Sequence, residues 1–382
     1  MPDIAPHIAR MPGSGVRHIL ELALRRPGTI ILAVGEPGEI AGGEIRDAAA
    51  DAWRAGAIRY TPNGGIPELR EAIVAKLARD NALEVDTEQV WVTVGATQAL
   101  HLAMALTLQR GDEVLVPDPG YTTFTMNAHL LQAEPVPYRL RPERAFRPDL
   151  DELEALVTPR TRAIIVNTPS NPLGSTFDRA TLEAILDLAR RRDLWVISDE
   201  VYERFTWGEP HTSLATLDTD HRVLSVFSMS KSHSMTGARV GWLVTPPGWR
   251  ATMLRVQESV VSCVDEPSQR AAVAALTGPQ DGVAASAAHY RDNLDAATAA
   301  LDARGIRYLT PTGAFYLWID VSHVSGGDVV AWCERLLDEQ GVAVAPGTAF
   351  GASGEGWIRV CVASDRAELL AGLSRIPAPA HP

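Results

Sequence analysis

The chain has 382 residues, 46% hydrophobic and 21% charged, a composition that excludes a disordered or fibrous protein. That length exceeds what one hydrophobic core usually serves, so two domains around a site between them are expected. With 35 Lys and Arg against 47 Asp and Glu, the formal charge is −12, which argues against nucleic acid or an anionic membrane as a partner drawn by long-range attraction.

Met1 to Arg10 contains no long apolar stretch, and no apolar run in the chain reaches the roughly 20 residues that cross a bilayer, so a cytoplasmic protein is expected. Val16 to Arg25 reads as a helix and Thr29 to Val34 as a short strand, before Gly35-Glu36-Pro37-Gly38. From about residue 90 to 245, apolar runs alternate with helical patterns: Val90 to Val94, Glu113 to Val116, Arg162 to Val166, Leu194 to Ser198, Val223 to Phe227 and Val240 to Val244. This is the signature of a largely parallel α/β sheet. Between the runs, Leu182, Ile185, Leu186 and Ala189 recur at helical spacing, and Asp178 is placed to cap that helix.

Beyond about residue 290 the pattern changes to a long helix, strands near Phe315 to Ile319 and Ile358 to Val362, and a helix over Asp328 to Glu339, which together read as a smaller α+β lobe. The Pro- and Ala-rich end, Ile376 to Pro382, is expected to fray. Cys263, Cys333 and Cys361 are far apart and odd in number, giving neither a metal-ligand spacing nor a disulfide framework, and Cys333 falls in an apolar helical stripe that reads as core.

Four places carry chemistry. Lys231 follows the strand Val223 to Phe227 in Ser228-Met229-Ser230-Lys231, and Arg239 comes eight residues later. An amine desolvated near other cations loses its proton more easily and can then condense with an aldehyde. Asp199 follows a mostly apolar run, at the carboxyl end of a strand, where α/β sites collect. Gly95-Ala96-Thr97 ends a strand and opens a helix, whose first-turn amides suit a phosphate. In Trp357 to Val362, strand alternation separates Arg359 from Ile358 and Val360 and can turn its guanidinium into a cleft.

These strings, with Asn167-Thr168-Pro169-Ser170-Asn171-Pro172-Leu173-Gly174 and Asp199-Glu200-Val201-Tyr202, resemble in order and type the pyridoxal-phosphate (PLP) dependent aminotransferases of class I and II, the aspartate aminotransferase fold, fold type I. The resemblance runs from Gly35 to Arg359. It implies an α/β protein whose large domain holds a mostly parallel seven-stranded sheet flanked by helices, with a smaller discontinuous α+β domain from both termini. The expected division is 1–38 and 281–382 for the small domain and 39–280 for the large one.

By the same resemblance Lys231 would hold PLP as a Schiff base and move the substrate Cα proton, and Asp199 would pair with the pyridine nitrogen. Asn171 and Tyr202 would hydrogen-bond the phenolic oxygen, and Tyr121 would stack on the ring. Gly95, Ala96, Thr97, Ser228 and Arg239 would take the phosphate, joined by Tyr60 from the neighbouring subunit of a homodimer with shared sites. Arg359, Asn171 and Gly35 would receive the substrate carboxylate. The implied reaction is ping-pong transfer of an amino group from an L-amino acid to a 2-oxo acid. A lyase or cyclase of the same fold is the nearest alternative, and a non-catalytic PLP-binding regulator the second.

Two places depart from the family: Gly38 to Gly43 replaces an acidic or aromatic residue and a Thr-Pro pair, and Ala238 stands where an aromatic is common. No second arginine or lysine can be placed as a side-chain clamp, and Glu258, Asp265 and Glu266 are acidic, so neutral amino donors are expected, with glutamate or 2-oxoglutarate left open for one half-reaction.

Overall fold

A computed structural model describes residues 2–380. Helix α1 (Gly15–Leu24) is capped by Ser14, whose hydroxyl accepts from the Arg17 amide. The segment read as a strand from Thr29 to Val34 is extended and paired only at β1 (Ile30–Ile31), which runs parallel to β11 (Val342–Ala343). The amino-terminal part of the chain therefore packs on its carboxyl-terminal part.

All six runs expected between residues 90 and 245 are strands: β2 (Val90–Val94), β3 (Glu113–Asp118), β5 (Thr161–Asn167), β6 (Trp195–Asp199), β7 (Val223–Ser228) and β8 (Val240–Val244). They belong to a seven-stranded sheet ordered β2-β8-β7-β6-β5-β3-β4, in which only β8 runs against its neighbours. The sequence pattern missed β4 (Glu134–Arg139) because Pro135 and Pro137 break its apolar run. Proline lacks the amide a central strand must donate, and β4 is accordingly an edge strand.

The central strands are buried on both faces because helices cover both sides. Ala163 and Ile165 face one layer, with Leu100 and Ala103 of α2 (Gly95–Thr107). Ile164 and Val166 face the other, with Leu182, Ile185 and Leu186 of α3 (Arg179–Arg192). As expected, Asp178 caps α3 by accepting from the Thr181 amide. Each fully buried Leu or Ile contributes roughly 1.5–3 kcal/mol, so this layering is a main source of stability.

A second sheet, ordered β12-β13-β10-β9, joins β9 (Tyr308–Leu309), β10 (Tyr316–Asp320), β12 (Ala345–Pro346) and β13 (Trp357–Cys361). The long helix α4 (Asp281–Asp302) and α5 (Val329–Gln340) accompany it, and Cys333 of α5 is fully buried. Strand β13 has neighbours on both sides, so Arg359 is on an interior strand and is itself buried.

Candidate active site

Because β2, β5, β6 and β7 point the same way, their carboxyl ends share one edge of the large sheet. Register places Asn167 opposite Asp199, and Ser228 opposite Gly241, near the start of β8. Residues at these ends line a cleft of about 670 Å³. Its walls include Gly35, Ala96, Thr97, Tyr121, Asn171, Asp199, Tyr202, Ser228, Lys231, Arg239 and Arg359. The structure thus gathers nearly every expected residue from segments far apart in the chain.

Lys231 stands on the short helix Met229–Ser232, started by Ser228, whose hydroxyl accepts from the Ser230 amide at 3.1 Å. The Lys231 Nζ donates to the Gly35 carbonyl at 2.7 Å. Burial, with Arg359 and Arg239 nearby, lowers its pKa to about 8. The contact found for Gly35 is thus its carbonyl oxygen, which faces the lysine.

Asp199 ends β6 fully inside the protein, and its carboxylate accepts from the Val201 amide at 3.3 Å. Desolvation is the main reason its pKa is raised to about 7. A buried carboxylate so sparsely bonded is costly unless a cation joins it.

Gly95, next to the lining residues Ala96 and Thr97, has φ +71°, and a Cβ there would come within 2.5 Å of the Arg239 guanidinium. Glycine thus lets the backbone at the head of α2 approach that cation. Helix α2 has no side-chain cap, and Ala96 and the exposed Thr97 of its first turn line the cleft. Arg239 itself adopts φ +55° and donates to the Thr236 carbonyl at 2.7 Å.

Arg359 is held flat. Its guanidinium sits 4.5 Å from the Tyr316 ring centroid and 4.7 Å from that of Phe350, and donates to Asn171 Oδ1 at 2.8 Å and to the Ala33 carbonyl. The Asn171 backbone amide in turn donates to Asn167 Oδ1 at 2.9 Å. The Arg359 Nε has no partner among the described residues. A planar cation with a free edge suits a carboxylate.

Tyr60 is placed apart: it is 93% exposed and does not line this cleft. His233, beside the lysine, lines a second cavity with Glu39 and His289 and bonds the Ser232 hydroxyl at 2.8 Å, and burial lowers its pKa to about 4. Tyr316, Phe350 and Arg17 were not found from the sequence. Tyr316 and Phe350 read as ordinary core aromatics, and Arg17 as a polar position on a helix.

Residues 29–376 match the family described as aminotransferase class I and II. The chain belongs to that family, and its activity is the transfer of an amino group. It is 33% identical over 377 residues to an aspartate aminotransferase of Pyrococcus horikoshii, covering 98% of this chain and 96% of that protein. An arginine–pyruvate transaminase of Pseudomonas aeruginosa is 38% identical over 333 residues, covering 87% and 84%. Among solved structures, a Thermus thermophilus aspartate aminotransferase single mutant superposes with a TM-score of 0.92 at 33% identity, covering 98% of this chain and 99% of that one. The family and fold expected from the residues are the ones found.

Proposed function

We propose that this enzyme uses PLP to move an amino group from a neutral L-amino acid to a 2-oxo acid, in a cytoplasmic homodimer. The observation that carries this reading is the set of charges gathered in one cleft: Arg239 beside the head of α2, Lys231 within the influence of Arg239 and Arg359, and the buried Asp199. That set fits a ligand with an anionic phosphate and a cationic ring nitrogen. Asp199 is the strongest test of fit, because it is a buried carboxylate whose raised pKa a ring N–H⁺ would relieve.

When bound, PLP supplies an aldehyde for Lys231 and a ring that accepts the electron pair left at the substrate Cα. The chain's residues do the rest. Arg359 takes the substrate carboxylate on its free edge, fixed in plane by Tyr316, Phe350 and Asn171. Lys231, with its lowered pKa, has a substantial neutral fraction near pH 8 and can accept the Cα proton. In this reading Asn171 and Tyr202 would hydrogen-bond the phenolic oxygen, Tyr121 would stack on the ring, and the exposed Tyr60 would serve the partner's phosphate. Parallel pairing of Ile30–Ile31 with Val342–Ala343 supports a small domain built from residues 1–38 and 281–382, around a large domain of 39–280.

The test follows each half-reaction separately. A donor amino acid should yield one 2-oxo acid per site without ammonia, and a 2-oxo acid acceptor should reset the enzyme. Ammonia or carbon dioxide as the main product would overturn the reading, and a markedly higher kcat/KM for aspartate than for alanine, methionine and aromatic donors would overturn the neutral-donor part.

Four cations line the cleft: Arg17, Lys231, Arg239 and Arg359. Arg17 lies on α1 with the apolar Val16 and Leu20, and suits the distal carboxylate of a 2-oxoglutarate acceptor. Because Arg17 is exposed, its contribution is modest. Arg17→Ala should raise KM for 2-oxoglutarate by about two- to fivefold and leave KM for pyruvate unchanged. Equal effects on both acceptors would remove Arg17 from recognition.

A further inference from the structure

The hydroxyls of Tyr202 and Tyr316 lie 2.7 Å apart, and both side chains are buried. Tyr202 follows β6 of the large sheet and Tyr316 opens β10 of the small one, so this bond spans the cleft between them. A Cβ at position 35 would come 2.0 Å from the Tyr316 hydroxyl oxygen, so glycine there leaves room for the pair. The ring of Tyr316 meanwhile lies under the Arg359 guanidinium. One side chain therefore touches both the carboxylate clamp and Tyr202.

A phenol hydroxyl carries one proton and can make one donation. For Tyr202 to donate into the cleft, its oxygen must accept from the hydroxyl it touches. We propose that Tyr316 is a positioning residue: its hydroxyl donates to Tyr202, so that Tyr202 turns its own proton toward an oxyanion in the cleft, while its ring holds Arg359 in plane. The inference rests on the PLP reading, in which that oxyanion is the phenolic oxygen. The charged and titratable groups facing the pair are Arg359 and Cys361 on β13, Asp199 at the end of β6, and Tyr121 after β3. The variants below keep all of them.

The experiment is a pH titration of the absorption spectrum of the purified holoenzyme, as wild type, Tyr316→Phe, Tyr202→Phe and the double variant, with the dissociation constant for propionate measured on each. Without the Tyr316 hydroxyl, Tyr202 is a less well directed donor and the oxyanion is less stabilised. The spectral midpoint of Tyr316→Phe should therefore rise by roughly half to one pH unit. The ring remains, so propionate affinity should stay within about twofold. In the double variant the midpoint should equal that of Tyr202→Phe alone, because the hydroxyl acts through Tyr202. Tyr316→Leu, which removes the ring, should weaken propionate by about tenfold.

An unchanged midpoint in Tyr316→Phe, or a shift that persists in the Tyr202→Phe background, overturns the hydroxyl's role. Undiminished propionate affinity in Tyr316→Leu overturns the ring's role. A wild-type enzyme with no cofactor absorption would instead overturn the PLP reading, and this inference with it.

Discussion

Replacing Lys231 by alanine is expected to reduce turnover by roughly four decades while the fold survives. The lysine is buried, and among the described residues its amine makes a single hydrogen bond, to the Gly35 carbonyl at 2.7 Å. Its pKa is lowered to about 8, chiefly by desolvation, which means that the folded state disfavours its charged form. Below pH 8 the amine is charged in both the folded and the unfolded chain, and the folded chain bears the cost. Removing it therefore should not lower the melting temperature of the cofactor-free protein near pH 7. Lys231→Arg gives a second arm: a guanidinium stays protonated at all working pH values and cannot accept the Cα proton. Both variants should lose single-turnover proton transfer, measured as exchange of the donor's Cα hydrogen with solvent. Near-wild-type exchange in either would remove Lys231 from the proton path.

Asp199→Asn should exchange activity for stability. The carboxylate fits a protonated ring nitrogen, and its loss should lower kcat/KM by about 10³-fold. In the cofactor-free protein the same carboxylate is a burden, because burial raises its pKa from 3.8 to about 7. Between those values the folded state binds more protons at this site than the unfolded state does. Stability conferred by the site therefore falls as pH rises from about 4 to about 7 and then stays level. The shift of about three units corresponds to about 4 kcal/mol as an upper bound. Denaturant unfolding of the cofactor-free proteins should accordingly show Asp199→Asn gaining over wild type as pH rises from 4 to 7, with little difference at pH 4. A difference independent of pH would mean that the buried carboxylate is not what strains the empty site. Added PLP should narrow the gap, because the bound ring supplies the missing cation.

Much of this site could be read before any fold was known. Lys231, Asp199 and Gly95 each follow an apolar run long enough for a strand, and a residue placed just beyond a parallel strand belongs at the edge where clefts form. Alternation along Trp357–Cys361 likewise separated Arg359 from its apolar neighbours. The misses have physical causes. Pro135 and Pro137 hid β4, because the tolerance of an edge strand for proline depends on a sheet order that the segment does not encode. Thr29 to Val34 is apolar for packing, yet only Ile30 and Ile31 find a partner strand. Tyr316 lies in a run of core residues and differs from them by one hydroxyl, whose meaning depends on what it meets.

The sequence by itself determined the alternation of strands and helices, the residues at the strand ends and, through their combined pattern, the family, because periodicity and strand termination act over a few neighbouring residues. Only the tertiary structure decided which distant groups touch. Tyr202 and Tyr316 are 114 positions apart, Asn171 and Arg359 188, and Gly35 and Lys231 196. Such contacts follow from how two sheets pack across a cleft, and a shift of about 1 Å in that packing would break the hydrogen bonds while leaving every local pattern in the chain unchanged.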